Sequence, residues 1–193
     1  MSMLGHNGGP SMAMGHGFRK LAWQKARNDL LPTLPLEIVR LRVARAKRLG
    51  LPYKTYATIR AVSGRDIVGF LFSSNGLELR ARQVELPQNV AARLKDIPAR
   101  RVAAIYAPTE PDHIAMANPG LLDIAGQAPA FTASWRETRR RIRALVQAGA
   151  VPLDGMVVVA ATSAERDWCG TAGLAGALPA LPFFNHPEDP STA

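Results

Sequence analysis

Residues 67–72 read Ile-Val-Gly-Phe-Leu-Phe (IVGFLF), and how this run folds decides how the two halves of the chain join. It is apolar at every position. It therefore shows neither the 3.6-residue period of an amphipathic helix nor the alternation of a half-covered strand. Such a run is either a buried helix or a central strand, and periodicity leaves both open. Its borders are plainer. Ser63, Gly64, Arg65 and Asp66 precede it in the form of a weak capping box. Ser73, Ser74, Asn75 and Gly76 follow as a turn, with a short strand expected over residues 77–84.

Upstream lies RLRVARAKRLGLPYKTYATIRAV, residues 40–62. Pro35 suits the first turn of a helix, where its missing N–H would be unpaired anyway. Leu36, Val39, Val43 and Ala46 then recur at three- and four-residue steps, predicting a buried stripe. Arg40, Arg42, Arg45, Lys47 and Arg48 crowd the remaining surface. Gly50 has the place of a C-terminal stop, and Pro52 opens a further helix carrying Tyr53, Tyr56, Ile59 and Val62. Earlier still, residues 18–31 have a helical pattern. Residues 1–17, rich in Gly, Met, Ser and His, are expected as a flexible tail.

A helix-turn-helix needs a small residue where the second helix crosses the first, a glycine at the turn, and apolar residues facing back. Ala46, Gly50, Tyr56 and Ile59 fall at those relative places, with Leu49 and Leu51 flanking the glycine. Over these twenty or so residues the chain resembles the helix-turn-helix family of DNA-binding proteins. Tyr56 departs from the pattern, because that place usually takes Val or Ile, and its ring demands a roomier crossing. The resemblance implies that residues 52–62 are the recognition helix, showing Tyr53, Lys54, Thr55, Thr58 and Arg60 outward to bases and phosphates. Arg40, Arg45, Lys47 and Arg48 would lie along the backbone, raising affinity without reading sequence. An ordinary helical hairpin with solvated arginines answers to the same spacing.

Downstream the texture changes near residue 98. Residues 101–106 read as a strand, and 107–119 as a loop with one helical turn. Ser134 and Glu137 form a capping box opening a helix to Gln147, with Trp135, Ile142, Leu145 and Val146 inward and Gly149 as its stop. Residues 156–161 are an apolar strand of the kind buried on both faces. Thr162, with Glu165 three residues on, caps another helix running to about Leu178. Strand, helix, strand, helix favours a small α/β layer. Residues 182–193 are expected as a tail.

Charge divides the chain as well. Residues 1–82 hold 14 Lys/Arg against four acids, and residues 83–193 hold 10 against 11, within an overall net charge of +9. A basic first half suggests a polyanionic partner, although an acidic protein would serve too. On the helix after Ser134, Arg136, Arg139, Arg140 and Arg143 share a face and form a possible second basic surface. Thr109, Glu110 and Asp112, with Thr162 and Ser163, would sit at strand ends, where open α/β sheets bind ligands. Helix capping alone also accounts for Thr162 and Ser163.

Catalytic and metal motifs are not apparent. His6, His16, His113 and His186 lack ligand spacing, and nothing ties His113 to Cys169 as a base to a nucleophile. Gly170, Gly173 and Gly176 do not match a dinucleotide fingerprint, so close helix packing is expected of them. No cofactor is called for. A single cysteine allows no intrachain disulfide and fits a reducing interior. The first residues lack a signal-peptide pattern, and no apolar run has membrane-spanning length, so a cytoplasmic protein without a membrane partner is expected.

The expected architecture is thus α+β or mixed α/β. A tail (1–17) precedes a basic helical unit (18–97), which packs with a small α/β unit (98–181), and a second tail (182–193) follows. The expected function is non-catalytic binding of double-stranded DNA, in the manner of a transcriptional regulator. A homodimer is expected because one such unit reads few base pairs. The alternatives are a small-molecule-binding or enzymatic α/β domain, or an adaptor for an acidic protein.

Overall fold

The structure, a computed structural model, describes residues 34–80 and 83–185. The tail expected over 1–17, the helix expected over 18–31, and His6, His16 and His186 lie outside the described residues. Contacts divide the chain at residue 40. Of the first unit, residues 34–40 are described, and they include the opening of helix α1 (Leu36–Arg48). The rest of the description concerns residues 41–185.

IVGFLF is a strand. Gly69–Ser73 forms β1, the middle of a five-stranded, all-parallel sheet. The other strands are β2 (Arg100–Ile105), β3 (Ile124–Gln127), β4 (Met156–Ala160) and β5 (Gly176–Pro179), in the order β3-β2-β1-β4-β5. Every neighbouring pair is parallel, with Phe70 opposite Arg101 and Val157. The order is Rossmann-like. It reverses direction between β1 and β4, so that border is the topological switch point.

Both faces of the sheet are covered, which explains why β1 and β4 show no alternation in sequence. Phe70 and Phe72 point to one face with Ala103, Ile105, Val157 and Val159. Leu71 points to the other with Val102, Ala104, Met156 and Val158. The first face is covered by the end of α1, α2 (Tyr53–Ser63), α3 (Gln88–Lys95), α4 (Pro111–Ala117) and α8 (Ala180–Phe184). The second is covered by α5 (Trp135–Ala148) and α7 (Trp168–Ala172), with α6 (Ser163–Arg166) between β4 and α7. Helix, sheet and helix make three layers.

Several expectations are corrected here. The boundary near residue 98 falls inside the β1–α3–β2 crossover, so the basic stretch supplies the central strand itself. The described residues of the strand expected over 77–84, namely 77–80, 83 and 84, form no strand: Leu77 N–H donates to Ser73 O, and Leu79 N–H donates to Ser74 O. The helix from Thr162 does not reach Leu178. It breaks into α6 and α7, ends at left-handed Gly173 and gives way to β5. Gly176 is therefore a strand residue, packed against Ile59, not a helix-packing one. Of the tail expected over 182–193, residues up to Phe184 belong to α8, with Phe183 and Phe184 buried against Phe70 and Phe72, and residues 186–193 lie outside the described residues. Trp135 is 60% exposed, not inward. Of the stripe expected on α1, Ala46 is buried, whereas Leu36 and Val43 are exposed.

The turn between α1 and α2 is a Schellman motif. Gly50 takes φ 61, its N–H donates to Lys47 O, and Leu51 N–H donates to Ala46 O. Arg93 of α3 closes over it, donating through Nη2 to Leu49 O (3.1 Å) and Gly50 O (2.9 Å). Its guanidinium also lies 5.1 Å from the Phe183 ring centroid. A Cβ at Gly50 would fall on that guanidinium. Gly50→Ala combines left-handed strain with displacement of Arg93, and is expected to lose about 1–2 kcal/mol in urea unfolding. An unchanged midpoint would mean that the latch contributes nothing.

Candidate nucleic-acid interface

Helix α2 is held on its inner side by apolar contact and by one carboxylate. Tyr56 is 1% exposed and Ile59 8%, both within the core under the sheet. Tyr56 reaches past the crossing to donate its hydroxyl to Asp66 Oδ1 at 2.7 Å. The bulky ring thus has a specific use: it brings a polar tip to a half-buried acceptor. Burial first, and then the Asp66 hydrogen bond, push the Tyr56 phenol above its ordinary pKa, so it stays a donor.

Asp66 is the hub of this region. Arg45 Nε donates to Oδ2 at 3.0 Å, the Ile67 N–H donates to Oδ1 at 2.9 Å, and Arg60 Nη1 lies 3.5 Å from Oδ1. Arg45 extends further, donating through Nη2 to Ile67 O at 2.8 Å and through Nη1 to Pro98 O. Ser63 and Asp66 accordingly do not open a helix with IVGFLF. Ser63 ends α2, Gly64 caps it at φ 72, and Asp66 ties two helices to the first strand.

These contacts sort the expected DNA-contacting residues. Lys47, Arg48, Lys54 and Thr58 are exposed, and Thr55 is half-buried. Among the described residues, no carboxylate pairs with Lys47, Arg48 or Lys54. Thr58 hydroxyl donates back to Lys54 O at 2.9 Å and keeps its oxygen free to accept. Arg45 and Arg60 are drawn inward to Asp66. Tyr53 packs against the core instead of pointing outward. Arg40, in the first unit, is exposed and pairs with Glu37 at 2.9 Å.

The second basic surface is also partly spent. Glu137 accepts from Arg140 (2.9 and 2.8 Å) and from Arg141, and these bonds lower its pKa to about 2. Arg143 Nε donates to Ala172 O at 3.0 Å and so fastens α5 to α7. Arg139 lies over the Trp135 ring, 5.1 Å from its centroid, and Arg136 is exposed.

The switch point of the sheet is closed by its own residues. Glu165, fully buried, accepts from Asn75 Nδ2 at 2.8 Å and from the Ala161 and Thr162 N–H groups at 3.1 and 3.0 Å. Thr162 Oγ1 accepts in return from Glu165 N–H, completing a capping box. Backbone amides that could hold an anion thus already face a carboxylate. A Cβ on Gly76 would stand 2.7 Å from Val159 O, so chain packs against chain there. Thr109 is half-buried and Glu110 and Asp112 are exposed, Glu110 as the N-cap of α4 and Asp112 in its first turn.

Cys169 is half-buried, and burial pushes its thiol pKa up. Exposed His113 lies on α4. Among the described residues, no three His, Cys, Asp or Glu side chains gather as a metal site, and no helix is long and apolar enough to cross a membrane. Sequence reasoning missed Asp66, Arg93 and Glu165 as the groups that set the interface and the sheet. For Glu165 the capping box was a usable signal; for the other two only the fold brings the partners together. No protein-family model matches the chain, and no curated protein or solved structure does either.

Proposed function

We propose that α2, supported by the end of α1, binds double-stranded DNA. The observation that carries this reading is the two-sided character of α2. Tyr56, Ile59 and Asp66 fix its inner side, while Lys54 and Thr58 stand exposed on the other. The four-residue turn with left-handed Gly50 is the short connection that helix-turn-helix units use. Lys47 and Arg48 flank that turn as phosphate contacts, and Lys54 and Thr58 face the groove. A regulatory role and a homodimer belong to the same proposal, since one short helix reads few base pairs.

Lys47, Arg48 and Lys54, three cations without a carboxylate partner among the described residues, set the expected salt dependence. With a slope of about 0.9 per phosphate, three contacts give about a 40-fold affinity loss over a fourfold rise in salt. Fluorescence anisotropy of a labelled duplex across a salt series measures this. Lys54→Ala should weaken binding and reduce the slope by about 1. A slope that the substitution leaves unchanged removes α2 from the interface.

A further inference from the structure

Beyond the carboxyl ends of β2, β3 and β4 lies a cleft of about 190 Å³ that the helix pair does not use. Four aromatic side chains line it among small and polar ones. Tyr106, directly after β2, stacks on Phe131 with ring centroids 4.4 Å apart and planes 19° from parallel. Trp168 meets Tyr106 at 6.1 Å, and Trp135, the first residue of α5, also borders the cleft. Two of these rings stay largely in solvent, Phe131 at 68% and Trp135 at 60% exposure. Exposing two large rings at one concave place is costly unless something covers them. Burial, and then the neighbouring Glu165 carboxylate, push the Tyr106 phenol above its ordinary pKa and keep that wall neutral.

We propose that this cleft binds a nucleotide, its base lying against the rings of Trp135 and the Tyr106–Phe131 pair. The cleft is open to solvent, and its volume of about 190 Å³ admits one planar ring system with the sugar and phosphate left at the rim. Flat walls select flat ligands, and base–aromatic stacking tolerates any base. The polar lining favours a base edge carrying N–H groups, because Asp167 brings a carboxylate and Thr138 and Thr171 bring hydroxyls. Guanine, with two adjacent N–H donors, matches a carboxylate best. Charge at the rim selects the phosphate. Arg139 lies over Trp135, and exposed Arg136 neighbours it on the same turn of α5. This inference stands apart from the duplex reading and does not use α1 or α2.

Tryptophan emission of the full chain, excited at 295 nm and titrated with GMP, tests it. The expected result is saturable quenching by GMP, weaker quenching by guanosine and none by ribose 5-phosphate. Trp135→Ala and Phe131→Ala, both at exposed rings, should each weaken GMP binding roughly fivefold to a hundredfold, the range for a base on an aromatic ring. Isothermal titration should follow the same order, because Trp135→Ala removes one reporter. A short G-containing single strand is the second probe. Tighter binding of the strand than of GMP assigns the cleft to single-stranded nucleic acid, and the reverse assigns it to a free nucleotide. Either outcome supports the site. No saturable response to GMP or to the strand, an equal response to ribose 5-phosphate, or unchanged GMP affinity in both variants would overturn it.

Discussion

Replacing Glu165 with alanine is expected to destabilise the protein by about 3–5 kcal/mol, the range for removing one partner from a buried charged network. The side chain is fully buried and accepts from Asn75 and from two backbone N–H groups. Among the described residues no cation pairs with it, and three neutral N–H donors stabilise the carboxylate collectively. Alanine would leave those donors facing a void at the reversal of the sheet and would break the capping box with Thr162. Glu165→Gln keeps the volume but offers one acceptor oxygen in place of two. Its expected cost is smaller, about 1–3 kcal/mol. Urea unfolding monitored by far-UV circular dichroism separates the two, provided that the slope with denaturant is unchanged. An alanine variant within about 1 kcal/mol of the parent would show that water replaces the carboxylate without cost, reopening the strand ends as an anion site.

The same residue shows what could be read in the chain and what could not. Thr162 and Glu165 stand three apart before a helix, so the capping box is a local pattern, legible without a fold. That Glu165 also receives Asn75 depends on bringing residues 90 positions apart together across the switch point. IVGFLF illustrates the opposite limit. Uniform burial erases the alternation that identifies a strand, so only its shortness, its Gly and its aromatic residues argued for one. Strands β3 and β5 escaped notice for a related reason. Each is only four residues, two of them Gly or Ala, and β5 directly follows a glycine-rich stretch that also fits a helix end. The arginines of the basic half all looked alike in sequence. Arg45 is distinguished from Lys47 and Arg48 only by the position of Asp66, 21 residues away. Trp135 looked inward because large aromatics usually are; its place on the rim of a cleft follows from the turn after β3.

Asp66→Ala should lower stability by about 2–4 kcal/mol, which for a chain of this length moves the melting temperature by about 5–15 °C. The Asp66 side chain is 33% exposed and that of Arg45 17%, so water can recover part of what is lost and the full penalty of a buried pair does not apply. What remains is the Tyr56 hydroxyl without its acceptor and Arg45 held only by Ile67 and Pro98 carbonyls. Tyr56→Phe removes the donor alone and should cost about 1 kcal/mol. In a double-mutant cycle the two should couple by a similar amount, since they share one hydrogen bond. Under the proposed DNA-binding reading, the same substitution acts in the opposite direction on affinity. It deletes a negative charge and releases Arg45 and Arg60 from their partner, so duplex binding by the folded protein should tighten and its salt slope should steepen. A less stable protein that binds DNA more tightly would separate the structural task of Asp66 from the electrostatic task of the helix pair. A loss of both together would mean that the orientation of α2, set through Tyr56, matters more to the duplex than the added charge.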